Sequence, residues 1–151
     1  MVKRIIGCGN LLLRDEGVGV HLVKSLEGEK LPPGVELIDG ACGGFDLLTF
    51  FEDADKVVIV DTVKAPGGVP GAVYRFTPDD FQTEEFPKTS LHDVSLHDIF
   101  SIVRQTSRKM PEIVIFGVEP LDMDWGMELT EPVAKQLPKL RELVLKEMRD
   151  A

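Results

Sequence analysis

Four stretches of this chain carry nearly unbroken apolar runs, and most of the segments between them place apolar residues at helical spacing. Lys3–Cys8, Val35–Ile38, Lys56–Val60 and Glu112–Val118 read as strands; Lys56–Val60 is continuously apolar and β-branched after its lysine, the pattern of a central parallel strand. The spacing predicts a helix from Asp15 to Glu27, with Val18, Leu22 and Leu26 on one face and Val23 beside them. It predicts a short helix over Phe45–Phe51, another over Ser95–Thr106, and a last one from a Thr130 cap through Met148, kinked or split by Pro138. Ser95 and Asp98 resemble a capping box. Ala72–Phe76 alternates as an edge strand does, and Thr77–Ser90 reads as a surface loop with at most one helical turn.

The resulting order, β-α-β-α-β-(loop, β)-α-β-α, predicts an α/β fold: a three-layer sandwich with a mostly parallel twisted sheet and helices on both faces. Right-handed crossovers then align the parallel strands. Residues that follow the strands gather along one carboxyl edge, where such folds bind ligands. That edge is expected to carry Gly9-Asn10, Asp39-Gly40, Asp61 and Glu119.

At 151 residues the chain suits one domain, 1–151. Its formal net charge of −9 argues against a nucleic-acid-binding face. No apolar run approaches the 18 or so residues of a membrane span. Val2–Leu13 faintly resembles a signal peptide, but Gly7-Cys8-Gly9-Asn10 and Arg14-Asp15-Glu16 break it into a strand and a loop. Cys8 and Cys42 form no metal-ligand spacing and no disulfide framework, which fits the cytoplasm.

Two carboxylates and an imidazole stand out as candidate chemistry. Glu16 opens the first helix, Asp61 ends the central strand, and His92 precedes a helix in a polar loop. Such a trio suits a borderline divalent ion. Each has a plainer reading: Asp15 caps the first helix while Glu16 complements its dipole, Asp61 accepts a loop hydrogen bond, and His92, His97 and His21 are structural. The pair Gly7-x-Gly9 invites a dinucleotide reading, but Leu12 stands where the fingerprint needs its third glycine. Walker, HExxH and GxSxG motifs are absent.

Gly7 to Gly19 resembles the N-terminal signature GxGNxLxxDEGxG of the [NiFe]-hydrogenase maturation endopeptidases. Ile38-Asp39-Gly40 with Gly43-Gly44 and Leu47-Leu48 is similar to that family's second block, and Val58-Ile59-Val60-Asp61 with Pro70-Gly71 to its third. Ser90-Leu91-His92 resembles its S-x-H block, and Phe116–Pro120 with Leu129-Thr130 its C-terminal block. Cys42 and His97 have no counterpart in the pattern.

The resemblance implies a phosphorylase/hydrolase-like α/β sandwich and an endopeptidase that removes the C-terminal extension of a hydrogenase large-subunit precursor after nickel insertion. It implies that Glu16, Asp61 and His92 are both catalytic and metal-contacting, and that the nickel is borne by the substrate, with cadmium or zinc able to replace it in vitro. Asp39, Gly40, Gly43 and Gly44 are candidate substrate contacts, the glycines admitting close approach of a peptide backbone. Aspartic and metal-assisted hydrolysis both stay open. Two other readings also stay open: a non-enzymatic nickel-sensing chaperone of the precursor, and a flavodoxin-like nucleotide or flavin binder.

Overall fold

The computed structural model describes residues 1–41, 48–82, 88–89, 96–106 and 110–149. The strands are β1 (Lys3–Cys8), β2 (Val35–Ala41), β3 (Lys56–Lys64), β4 (Val73–Phe76), β5 (Lys88–Thr89) and β6 (Glu112–Val118). The helices are α1 (Val18–Leu26), α2 (Leu48–Phe51), α3 (Leu96–Thr106), α4 (Glu131–Ala134) and α5 (Leu137–Arg149), with 3-10 turns at Arg14–Gly17 and Pro78–Gln82.

Five strands lie in the order β2-β1-β3-β6-β4. The first four are parallel, and β4 closes the edge antiparallel to β6. β5 pairs antiparallel with the far end of β3, at Val63 and Lys64. Successive strand residues point to opposite faces, so each central strand feeds two cores. Ile6, Val57, Ile59 and Ile115 pack with Phe51 of α2 and with Phe100 and Val103 of α3. Ile5, Val58, Val60, Val114 and Phe116 pack with Leu22 and Leu26 of α1 and with Leu140 and Val144 of α5. This double burial explains why the strands read as continuous apolar runs.

The amino edge of the sheet is tied to the end of α5. Lys3 donates to the Met148 carbonyl, and Lys56 donates to the Glu147 carbonyl (2.8 Å) and carboxylate (3.0 Å). Both lysines are buried and satisfy carbonyls that the helix leaves unpaired. At the other edge, α1 comes so close that a Cβ on Gly19 would stand 2.1 Å from the Val60 carbonyl oxygen and 2.6 Å from Cys8 N. Glycine is the residue that lets the helix start directly over the ends of β1 and β3.

Several boundaries differ from the sequence-based expectation. The helix predicted from Asp15 begins at Val18, because Arg14 has φ +47° and the intervening turn is 3-10. β3 runs on to Lys64 because β6 pairs with it through Thr62 and β5 then takes over. Asp61 therefore lies inside the strand instead of ending it. β2 extends to Ala41 by pairing with β1 past an irregularity at Gly7/Cys8. The last helix is split before Pro138, which has no N–H to donate and sits in the first turn of α5. The predicted starts at Phe45 and Ser95, and the Ser95 cap, lie outside the described residues.

Candidate active site

Asp61 is fully buried near the carboxyl end of the central strand. Its register neighbour on β6 is Gly117, and the next across, on β4, is Tyr74. Alternation along β3 places Asp61 on the same face as Val57, Ile59 and Val63, the face covered by α2 and α3. Its Oδ1 accepts the Thr62 N–H at 2.7 Å. A buried carboxylate is costly unless hydrogen-bonded, paired or bound to a cation, so this position is held for a reason other than packing.

Glu16 lies on the 3-10 turn between β1 and α1, and is 3% exposed. That turn packs against β3, the strand of Asp61. Three local features set it. Asn10 closes an Asx turn, its Oδ1 accepting Leu12 N–H at 2.9 Å. The Leu13 N–H reaches the Asn10 carbonyl, and the Glu16 N–H reaches the Leu13 carbonyl. Gly9 has φ +126°, and a Cβ there would stand 1.7 Å from the Glu16 carbonyl oxygen. The Gly-x-Gly-Asn pattern thus serves to fold the chain back under Glu16.

Asp15 does not cap α1. Its buried carboxylate reaches across to the segment that follows β6, accepting the N–H groups of Leu121 (2.9 Å), Asp122 (3.1 Å) and Thr130 (2.8 Å) and the Thr130 hydroxyl (2.7 Å). Thr130 stands at the N-cap of α4, but its hydroxyl is spent on Asp15 and makes no side-chain cap. Arg14 adds to the link: its N–H donates to the Gly126 carbonyl at 2.8 Å, and its guanidinium meets the Asp122 carboxylate at 2.6 Å. The Asp124 N–H, opposed by desolvation and helped by the Arg14 guanidinium, holds the Asp122 carboxyl below its ordinary range. Composition and spacing did not point to these roles for Asp15 and Arg14, since nothing periodic pairs residues more than a hundred apart.

Glu119, expected on the carboxyl edge, is buried there and fixes the loop after β3. Its Oε2 accepts the Ala65 N–H at 2.9 Å, and its backbone pairs with Gly71 and Ala72. It also accepts from Tyr74, whose phenol is pushed above its ordinary range by burial and by the Glu119 charge and hydrogen bond.

Asp39 is exposed on the outer strand β2, and its neighbours Leu37 and Ile38 place it on the α1 and α5 face, opposite Asp61. Gly40 follows it on the same strand. Gly43, Gly44, Cys42 and His92 lie outside the described residues, and His97 is placed only as a position in α3. His21 in α1 reaches the Met127 backbone; burial outweighs that contact and lowers its pKa, with the Lys24 charge helping. Among the described residues no group of three His, Cys, Asp or Glu side chains is placed to hold a metal ion. The structure therefore brings the turn carrying Glu16 against the strand carrying Asp61, on the edge where a parallel α/β sheet receives ligands.

The family model for hydrogenase maturation proteases matches residues 20–147. The chain belongs to the hydrogenase maturation protease family. It is 30% identical over 148 residues to the hydrogenase 2 maturation protease of Escherichia coli, covering 97% of this chain and 90% of that one. It is 33% identical over 150 residues to a putative hydrogenase maturation protease of Methanocaldococcus jannaschii, covering 96% and 95%. The solved structure of the hydrogenase maturating endopeptidase from E. coli superposes with a TM-score of 0.84 at 29% identity, over 99% of this chain and 93% of that one. A [NiFe] hydrogenase maturation protease from Thermococcus kodakarensis shares the fold, with a TM-score of 0.81 at 23% identity and coverage of 97% and 98%. The family match starts after Glu16, but the full-length comparisons take in the turn that carries it. As a maturation protease this chain is a peptidase, and among its described residues no helix is long and apolar enough to cross a membrane.

Proposed function

We propose that this hydrogenase maturation protease removes a C-terminal extension from a [NiFe]-hydrogenase large-subunit precursor, and that it reads the precursor's nickel through Glu16, Asp61 and His92. The observation that carries the reading is a pair of buried carboxylates at the carboxyl edge, Asp61 on β3 and Glu16 on a 3-10 turn that packs on that strand. α3, which follows His92 in the chain, covers the sheet face on which Asp61 lies. Two carboxylates and one imidazole match the donor preferences of a borderline divalent ion. The set lacks the two or three histidines common in catalytic zinc sites, so it suits an ion that arrives already fixed in a partner, whose own contacts add to the affinity.

In this reading the nickel belongs to the substrate. The side chains of Glu16 and Asp61 orient the precursor so that the scissile peptide lies along the carboxyl edge. Asp39 and Gly40, with Gly43 and Gly44 next in the chain, contact the extended peptide. A carboxylate close to that peptide can take a proton from attacking water, and a bound divalent ion polarises a carbonyl.

The test is a gel assay with purified nickel-loaded and metal-free precursor. The expected result is shortening of the loaded precursor alone. Equal cutting of the metal-free precursor would overturn nickel recognition. Tight binding of the loaded precursor without any shortening would make the chain a chaperone and not a processing enzyme.

A further inference from the structure

Six large apolar side chains are exposed among the described residues, and four of them, Leu12, Leu121, Trp125 and Met127, belong to two segments that the backbone ties together. The Gly126 N–H donates to the Leu12 carbonyl at 2.9 Å and the Arg14 N–H to the Gly126 carbonyl at 2.8 Å, so Leu12 lies beside the Trp125-Gly126-Met127 segment. Trp125 is 80% exposed, and an open hollow lined by Arg14, Trp125, Gly126, Met127 and Glu128 adjoins it.

This patch is not a loose loop. The Asp15 carboxylate holds Leu121, Asp122 and Thr130, and Arg14 holds Asp122, so both segments are pinned on either side of the exposed side chains. Large apolar side chains left exposed on a pinned backbone gain nothing for folding and mark an interaction surface. A preorganised tryptophan is the kind of residue that dominates such surfaces.

The charge around the patch selects its partner. Residues 121–134 include Asp122, Asp124, Glu128 and Glu131 and no lysine or arginine. Asp124 and Glu128 are exposed beside Trp125 and Met127. Arg14 is the one cation lining the hollow and is committed to Asp122. An apolar centre with an acidic rim fits a polypeptide segment that carries aliphatic side chains flanked by lysine or arginine. Asp15, which pins the patch, is the residue before Glu16, so one 3-10 turn joins the patch to the candidate active site.

We propose that Leu12, Trp125 and Met127 form the docking surface for a basic, apolar segment of the large-subunit precursor, a proposal that rests on the function inferred above. The surface supplies affinity away from the reacting groups, and Asp15 couples its position to that of Glu16.

The test measures processing of nickel-loaded large-subunit precursor by the whole protein, with KM and kcat resolved, and precursor binding by anisotropy. Trp125→Ala and Met127→Ala should each raise KM about tenfold with kcat at saturation changed less than twofold. Asp124→Asn with Glu128→Gln should raise KM and flatten its dependence on salt. An unchanged KM in Trp125→Ala, or a loss of kcat that tracks a lowered Tm, overturns the docking surface and leaves the processing reading intact. Binding by the wild type without cutting overturns the processing reading, while loss of that binding in Trp125→Ala still supports docking. Absence of both binding and cutting in the wild type overturns both. Sedimentation that shows a wild-type dimer dissociated by Trp125→Ala makes the patch a self-association surface and overturns the proposal.

Discussion

Asp15 accepts both the backbone N–H and the hydroxyl of Thr130, 115 residues further along the chain. The two residues come from opposite ends of the sequence, and their contact joins the turn that carries Glu16 to the start of α4. Because neighbouring residues on one 3-10 turn share its backbone, whatever fixes Asp15 also limits where Glu16 can go.

Asp15→Ala should therefore cost stability and processing together. It leaves three buried or half-buried N–H groups and the Thr130 hydroxyl without their acceptor. Hydrogen bonds to a charged group contribute roughly 1.5–3 kcal/mol each, not additively, so a loss of about 3 kcal/mol or more is expected in urea unfolding. Asp15→Asn keeps one acceptor oxygen and should fall between the two. Wild-type stability in Asp15→Ala would show that the latch carries no load.

The strands that bury both faces were legible because burial on both sides writes continuous apolar runs, as in Lys56–Val60. The carboxyl edge followed from that topology, and it correctly placed Asp61 and Glu119 together with the turn after β1. The role of Asp15 was not legible. Aspartate before a helix is the ordinary signature of a cap, and only the folded chain shows that its partners follow β6. The Gly7-x-Gly9 pair has a conformational reason of its own: the turn needs glycine at Gly9 to avoid the Glu16 carbonyl. From sequence Asp61 reads as a strand-ending residue, because nothing in the apolar pattern shows that β5 and β6 extend the pairing to Lys64.

Gly9→Ala tests how closely the turn is packed. The added methyl would overlap the Glu16 carbonyl, and φ +126° is strained for any L side chain. Backbone atoms must shift, so the cost should reach or exceed the ~1–3 kcal/mol of ordinary overpacking. Processing should fall further than stability explains, since the displaced group is Glu16 itself. Unaltered Tm and unaltered processing would rule out this account of the signature.

Acid should weaken the fold in two stages. Burial, reinforced by the Lys24 charge, lowers the pKa of His21 from 6.5 despite its Met127 contact. Its contribution is complete above pH 6.5 and is lost as pH falls through the lower folded value. Burial pushes Glu147 upward, but the hydrogen bonds and charges of Arg75 and Lys56 outweigh it and bring its carboxyl below 4.5. That contribution is present above 4.5 and is lost as pH falls through the folded value. Arg75 is half-exposed, so its ion pair with Glu147 should contribute no more than about 1 kcal/mol, and the buried Lys56 is the partner that matters more. Tm measured between pH 8 and pH 3 should fall in both windows, with His21→Gln flattening the upper one and Glu147→Gln the lower. A slope unchanged in His21→Gln would assign the upper stage to other groups.

The last prediction separates metal contact from ordinary structure at the candidate site. Free cadmium, zinc or nickel should bind the isolated protein weakly and should not make it cut general peptides, because two carboxylates and one imidazole leave most of an ion's coordination to the partner. Asp61→Asn keeps the shape of the buried side chain and its acceptor for the Thr62 N–H, but removes the charge that a divalent ion needs. Processing of nickel-loaded precursor should drop by more than the roughly 10–100-fold that follows loss of an outer hydrogen-bond partner, with Tm close to that of the wild type. Glu16→Gln should behave alike. His92→Ala should abolish processing, whereas His97→Ala, a position on α3, should leave most of it. Equal loss from the two histidine changes would mean that the S-x-H block is wrongly aligned or that both rings contact the ion. Full activity in Asp61→Asn would remove Asp61 from the site and leave its burial without a functional explanation.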